Sequence, residues 1–512
     1  MELKRRIIRN VLSNWAGYAV VIGVTFFLSP FVVHTLGDSG YGIWVLVGSL
    51  TGYFGLLDLG IRPAIVKFAA QYQALDNARK INEVVNTSLV VSSVLGLITA
   101  LATMVLAYFS PQLFRVAPEY LDDLRIVVML VGVKVAIDFP FAVFGALFNA
   151  FQRFDLNNLI TISFFLIRSL LIVVFLKLGG GLIELGMIML IGGVAEALVR
   201  MFACYRIFPA LKISFSLVNR ETLKMLYSFS LFIFLIGLAS QITFYSSSII
   251  IGAFLSASAI TYYAIGANLI EYLKNLVGQM TMTITPVASA FDAHHDNERL
   301  TKLLLIGTRY CLLVILPIGY VYLVMGQTFI TLWMGPSYGP SSSRVLAILT
   351  VSCFGFLSQL VSGSILYGLG KIKTLAVANL TSAAVIIALT LALVKPYHIY
   401  GVALGTAIPQ TIYGTIFLPL YICRVLGLKP WQYLRQSFFP PLVASLPFLA
   451  LVLLIEYTVT IDSLAVFGLA VAGASVAYAV CVFFIGLDTF HREALWGKTR
   501  ARLQDGLRRA AK

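Results

Sequence analysis

The chain has 512 residues, of which 59% are hydrophobic and only 12% charged, and its mean hydropathy is +0.92. Soluble domains carry about 25% charged residues, so this composition argues against a cytoplasmic enzyme, a secreted disulfide scaffold and a nucleic-acid-binding protein. The net charge of +15 follows from where the basic residues sit, not from a polyanionic partner.

A helix crosses the ~30 Å hydrocarbon core with about 20 apolar residues. In chain order, fourteen segments meet that requirement: 11–34, 40–60, 83–109, 125–148, 158–177, 183–205, 228–255, 260–286, 303–326, 345–368, 375–394, 400–422, 438–457 and 464–486. The first is too long for a cleaved signal peptide and is read as a retained span. Connections are short and carry turn residues, as at Gly37-Asp38-Ser39-Gly40, Gly179-Gly180-Gly181 and Gly335-Pro336. With the N-terminus inside, 27 of the 37 basic residues fall on the cytoplasmic side and three (Arg115, Lys177, Lys395) on the outside. That asymmetry orients the chain with both termini in the cytoplasm, facing anionic head groups.

The five tryptophans lie near span ends or in loops, as an interfacial belt requires. The five cysteines show no paired spacing, so neither a disulfide framework nor a metal knuckle is expected. Thr489 to Lys512 reads as a basic amphipathic surface helix. The run Asp292-Ala293-His294-His295-Asp296 is read as a solvated loop, and no metal or cofactor is assigned.

Segments 11–72 and 228–291 open alike, each with a long apolar helix, a short small-residue turn, a tyrosine followed closely by a small residue (Tyr41-Gly42; Tyr262-Tyr263-Ala264) and a second helix. Repeats that start six spans apart share an orientation, the parallel-repeat transporter plan. The expected division is a six-helix lobe at 1–225, a second at 226–436, two extra helices at 437–487 and a basic tail at 488–512. The fold class is therefore all-α integral membrane, with about fourteen transmembrane helices in two parallel six-helix repeats plus two C-terminal helices.

Leu36-Gly37, Tyr41-Gly42, Leu57-Asp58-Leu59-Gly60, Arg62-Pro63-Ala64 and Phe68-Ala69 together resemble the amino-terminal signature of polysaccharide-biosynthesis flippases. These are the Wzx-type exporters of lipid-linked oligosaccharides in the multidrug/oligosaccharidyl-lipid/polysaccharide superfamily. Ala264 to Pro286 resembles the matching passage of the second half. The resemblance implies a V-shaped pair of lobes in the bacterial inner membrane. By alternating access they would move undecaprenyl-diphosphate-linked oligosaccharide to the periplasmic leaflet, for O-antigen, capsule or exopolysaccharide assembly. The implied partners are that lipid-linked glycan, membrane lipids, a polymerase with export machinery, and protons or other ions, with no nucleic acid.

Such a cargo needs positive charge for its diphosphate and a hydrated polar path for its sugars. An ionisable side chain inside a span costs ~2.5–3.5 kcal/mol on insertion scales, which makes it a candidate site residue. Asp58/Arg62, Lys134/Asp138, Glu196/Arg200 and Glu271/Lys274 are three or four apart, each pair on one helix face. Neutralising pairs also lock helices together, and the first and last pairs, in corresponding spans of the two halves, are promoted over the others. Arg168 and Arg309 have no partner three or four residues away; a lone intramembrane Arg seeks an anion or snorkels to a head group. The phosphate candidates are thus Arg62, Arg168, Lys274, Lys134 and Arg309. Asp58, Glu271 and Asp138 are the charge partners, and Asp58 or Glu271 is the titrating group of any proton coupling. Asn14, Gln241, Tyr245, Tyr262, Tyr263 and Asn268 are the sugar-path candidates, set against plain interhelical hydrogen bonding. Gly48-x-x-x-Gly52 is read as a packing motif.

Three alternatives stand beside this reading. A multidrug antiporter of the same superfamily would want acids in spans one and seven, where this chain has none. A lipid II flippase, by resemblance to that subfamily, would want arginines from spans one and two, and span one here has none after Arg9. A membrane-embedded polysaccharide polymerase would want a sizeable, charged outer loop, whereas 327–344 has Arg344, at the edge of the next span, as its only charge.

Overall fold

The computed structural model describes residues 2–58, 60–228 and 231–486. The side chains of Asn14 and Asp58, and the amphipathic tail expected from Thr489, lie outside the described residues. The described chain is helical. It comprises α1 (Glu2–Gly52), α2 (Ile61–Ala74), α3 (Ala78–Leu113), α4 (Leu121–Ala150), α5 (Phe154–Lys177), α6 (Leu182–Ile207), α7 (Arg220–Ser228), α8 (Leu231–Phe254) and α9 (Ala257–Thr281). Next come α10 (Ile284–Ala293), α11 (Asn297–Val324), α12 (Gly326–Met334), α13 (Gly339–Phe356), α14 (Leu360–Gly368) and α15 (Ile372–Ile412). Last are α16 (Leu418–Leu426), α17 (Pro430–Tyr433), α18 (Phe439–Thr458) and α19 (Leu464–Cys481).

Among the described residues, eleven helical runs are long and apolar enough to cross a membrane. Two of these are broken internally: Ala19–Leu57 at Gly37, where φ is +71°, and Ile372–Leu426 at His398, where φ is +52°. At His398 the chain doubles back, because a Cβ on Gly401 would lie 2.0 Å from the Leu393 carbonyl oxygen. Only glycine permits so close an approach. Counting both arms of each broken run, and adding the more polar α9 with its Glu271 and Lys274, gives a number compatible with the fourteen spans expected. Large apolar side chains such as Leu97, Leu101 and Val105 on α3, or Leu469 and Val476 on α19, stand exposed. In a membrane protein lipid covers such side chains.

The helices pack as two units. Unit one comprises Met1–Ala264 with Ala376–Val402, and unit two Ile265–Leu375 with Ala403–Lys512. This grouping cuts across the repeat boundary expected at residue 226.

Unit one is built on α2, α3, α4 and the end of α6, whose buried side chains include Ile65, Phe68, Val85, Phe144 and Phe148. Small residues let α3 and α4 close on each other: a Cβ on Gly96 would fall 2.5 Å from the Ala136 carbonyl oxygen. The second arm of α1 runs back along α8 and the start of α9, with Gly42 against Ala257 and Gly52 against the Tyr245 ring. Of the Gly48-x-x-x-Gly52 pair, Gly52 makes this close contact and Gly48 meets open space, so the motif packs through one glycine rather than two. In unit two, α11, α18 and α19 share a core of Val321, Phe448, Val452, Phe467 and Tyr478. Trp333 is buried there and stacks on Phe329 at 5.6 Å, so it belongs to the core rather than to an interfacial belt. Trp431 stands exposed.

Candidate functional site

Six charged residues of unit one converge on a cavity of about 260 Å³: Arg62, Lys134, Asp138, Arg168, Glu196 and Arg200, with Phe141 and Ala197 among the apolar walls. Two helices supply most of it through helical periodicity. α4 presents Lys134, Asp138, Phe141 and Ala142, at offsets of four, seven and eight; α6 presents Gly193, Glu196, Ala197 and Arg200, at offsets of three, four and seven. These are the spacings of a single helix face. Arg168 enters from α5, and Arg62 from the first turn of α2.

Lys134 Nζ lies 2.6 Å from Asp138 Oδ2. Arg168 Nη1 donates to Glu196 Oε2 at 2.7 Å, while Arg200 Nη2 donates to Glu196 Oε1 at 2.6 Å and to Thr161 Oγ1 at 2.8 Å. One carboxylate thus fixes two guanidinium groups, with side chains only 14% (Glu196), 17% (Arg168) and 23% (Arg200) exposed. Arg200 Nε is buried without a hydrogen-bond partner. A donor left in that state costs about 1–3 kcal/mol, an incentive to donate to a ligand oxygen.

Glycines make room for the cations. A Cβ on Gly192 would come 2.9 Å from Arg168 Cγ, and one on Gly193 2.9 Å from Lys134 Cε. The adjacent glycines are the gap through which both stems cross α6.

Of the expected phosphate residues, unit one therefore brings together Arg62, Arg168 and Lys134, with Asp138 beside them. Arg168 is not the lone cation that sequence spacing suggests, because its carboxylate sits 28 positions along the chain on another helix. Lys274 and Arg309 belong to unit two. Lys274 Nζ lies 3.2 Å from Glu271 Oε2, and Arg309 is half-buried, donating through Nε and Nη2 to the Gln436 carbonyl at 3.0 and 2.6 Å.

The sugar-path candidates take up several positions. Gln241 Nε2 donates to the Gly52 carbonyl at 3.3 Å, and Tyr245 packs 5.8 Å from the Tyr53 ring. The Tyr53 and Ser246 hydroxyls share a bond of 2.7 Å. Tyr262 donates to Asp38 Oδ2 at 2.9 Å, Tyr263 is buried, and Asn268 is half-buried in unit two. Sequence reasoning gave no weight to Thr161, Gly192 and Gly193, and did not promote Glu196 and Arg200. The i,i+4 spacing of Glu196 and Arg200 was the one available signal.

Comparisons with known proteins agree with this architecture. Residues 7–292, more than half of the chain, match the polysaccharide biosynthesis protein family. The chain is 24% identical over 485 residues to the uncharacterized membrane protein EpsK of Bacillus subtilis (strain 168), covering 93% of this chain and 94% of that protein. It is 22% identical over 427 residues to a putative O-antigen transporter of Shigella flexneri, covering 82% and 99% respectively. Among solved structures, the lipid II flippase MurJ in an inward closed conformation superposes with a TM-score of 0.68 at 14% identity, covering 95% of this chain and 100% of that one. At that identity the likeness speaks for the fold alone. On the family match and its sequence relatives, the chain belongs to the polysaccharide biosynthesis protein family, as a Wzx-type membrane transporter rather than an enzyme.

Proposed function

We propose that this protein carries an undecaprenyl-diphosphate-linked oligosaccharide from the cytoplasmic to the periplasmic leaflet of the bacterial inner membrane by alternating access, with both termini in the cytoplasm. The observation that carries the reading is the charge of the unit-one cavity. Four cations (Arg62, Lys134, Arg168, Arg200) stand against two carboxylates (Asp138, Glu196), leaving an excess of two positive charges. A diphosphate diester carries one negative charge on each phosphorus and matches that excess. Guanidinium forks suit phosphate oxygens because they donate two parallel hydrogen bonds, and a partly desolvated site strengthens each of them. Lys274 with Glu271 offers a second charged station in unit two. Gln241, Tyr245, Tyr262, Tyr263 and Asn268 supply polar and aromatic surface suited to sugars. A cation-rich cavity also disfavours the multidrug antiporter reading, since a cationic drug would meet like charge.

The test is the sidedness of the labelled lipid-linked glycan in cells lacking this protein, restored with single variants. Arg62→Ala, Arg168→Ala and Lys134→Ala each remove a charged hydrogen bond worth about 1.5–3 kcal/mol. Each should therefore lower translocation at least about tenfold while the protein still inserts. Full activity in all three would overturn the phosphate site. Glycan that reaches the outer face but stays unpolymerised would replace the flippase with a polymerase.

A further inference from the structure

The connection between α6 and α8 is a 3D-fixed strap, and its outer side chains do not match a segment in water. Residues 211–214 lie outside the helices, with Ser214 extended (φ −155°, ψ 133°), and the side chains of α3 hold their backbone as a neighbouring strand would. Asn82 Nδ2 donates to the Ala210 carbonyl at 2.9 Å, and Asn82 Oδ1 accepts from the Lys212 amide at 2.7 Å. One helical turn on, Asn86 Nδ2 donates to the Lys212 carbonyl at 2.7 Å and its Oδ1 accepts from the Ser214 amide at 2.8 Å. Thr87 Oγ1 then accepts from the Asn219 amide at 3.0 Å. The registers agree: four residues of helix rise about 6.0 Å, and two residues of extended chain about 6.6 Å. Each asparagine side chain is itself an amide, so a helix face reproduces the edge of a sheet.

The stitching is internally complete, with Asn82, Asn86 and Thr87 all buried and Leu211 buried in the unit-one core. Yet it leaves Ile213 at 54%, Phe215 at 86% and Val218 at 39% exposure. Around these apolar groups, residues 206–224 carry Arg206, Lys212, Arg220 and Lys224 against the single acid Glu221. The strap leaves one membrane-crossing helix at Ile207 and rejoins another near Phe234, so it lies at a bilayer surface by covalent continuity.

We propose that this strap is a lipid-surface contact, in which Phe215, Ile213 and Val218 enter the boundary between head groups and acyl chains of an acidic phospholipid leaflet. Lys212, Arg220 and Lys224 hold the phosphates around them. Apolar burial together with attraction to anionic lipid is the binding mode of an interfacial segment, and basic residues near such a surface add to it. The asparagine stitching fixes the wedge beforehand, so no ordering cost falls on insertion. This proposal stands apart from the transport reading and does not depend on it.

The test places a nitroxide at position 215. Of the five free cysteines, only Cys481 is not buried, so Phe215→Cys in a Cys481→Ser background gives one accessible thiol. The full-length protein is reconstituted in phosphatidylglycerol or phosphatidylcholine vesicles, and collisions with dioxygen are compared with those of a water-soluble nickel chelate. Dioxygen should dominate severalfold in phosphatidylglycerol, less so in phosphatidylcholine, and Lys212→Gln with Arg220→Gln should abolish the difference between the two lipids. Asn86→Ala should raise access to the nickel chelate by loosening the strap. Nickel access that dominates in both vesicles would mean that the face is wet or is covered by a soluble partner, and would overturn the proposal. Equal behaviour in both lipids would overturn its acidic-lipid specificity.

Discussion

Two polar clusters inside the spans, one in each unit, are handled in opposite ways. Unit one gathers charged side chains around a cavity, where Glu196 is shared by two arginines and Arg200 Nε has no partner. Unit two buries an uncharged network. The Gln359 amide donates to the Tyr433 hydroxyl at 3.0 Å, Ser362 donates to Gln359 Oε1 at 2.7 Å, and the Thr308 and Tyr433 hydroxyls share a bond of 3.0 Å. All four residues are essentially inaccessible. A satisfied neutral network ties α11 to α17 and to α14 with the turn before it, and it asks for nothing further. An unbalanced, partly open charged one keeps donors in reserve. Burial alone does not separate a structural polar group from a working one; the separation lies in whether its hydrogen-bonding capacity is already spent.

That contrast can be broken from either side. The largest effect is expected for Glu196→Ala, which leaves Arg168 and Arg200 side by side without their carboxylate. Breaking a buried pair in this way costs about 3–5 kcal/mol, and partial access of solvent trims that figure. Translocation should fall to background and thermal stability should drop, with Glu196→Gln recovering much of the stability but not the transport. An intermediate effect is expected for Gln359→Leu. It orphans partners on Tyr433 and Ser362 and should destabilise by about 1–3 kcal/mol, read as a lower unfolding midpoint in detergent. Translocation per folded molecule should stay unchanged. The smallest change in stability is expected for Gly193→Ala. Helix propensity gains up to ~1 kcal/mol and offsets the crowding of the Lys134 stem, while displacement of that stem should lower translocation severalfold. If Gln359→Leu stopped transport at normal folded yield, or Gly193→Ala left it untouched, the division between a structural and a working network would fail.

Much of this was legible in the sequence, for reasons that also mark where legibility stops. The spans are visible because lipid demands long apolar runs, and the breaks at Gly37 and His398 fall between neighbouring expected spans. Lys134 and Asp138 could be paired because i,i+4 spacing is local geometry. Arg168 and Glu196 could not be paired, because no local rule brings residues of two helices together. The space-making role of Gly192-Gly193 is equally hidden, since glycine is common in membrane helices and nothing in the sequence says which side chain crosses it. Asn82 and Asn86 are visibly one turn apart, but their partners lie more than a hundred positions away and are main-chain atoms, which every sequence offers everywhere.

The asparagine stitching also makes the strap a ruler. Surface connections ordinarily absorb insertions because their ends alone are fixed. Here the contacts fall at 210, 212, 214 and 219 against three positions on one helix. One added residue near 213 would set every later amide out of phase with its asparagine or threonine. A reporter fused into this connection to map topology would therefore perturb the protein that it was meant to observe.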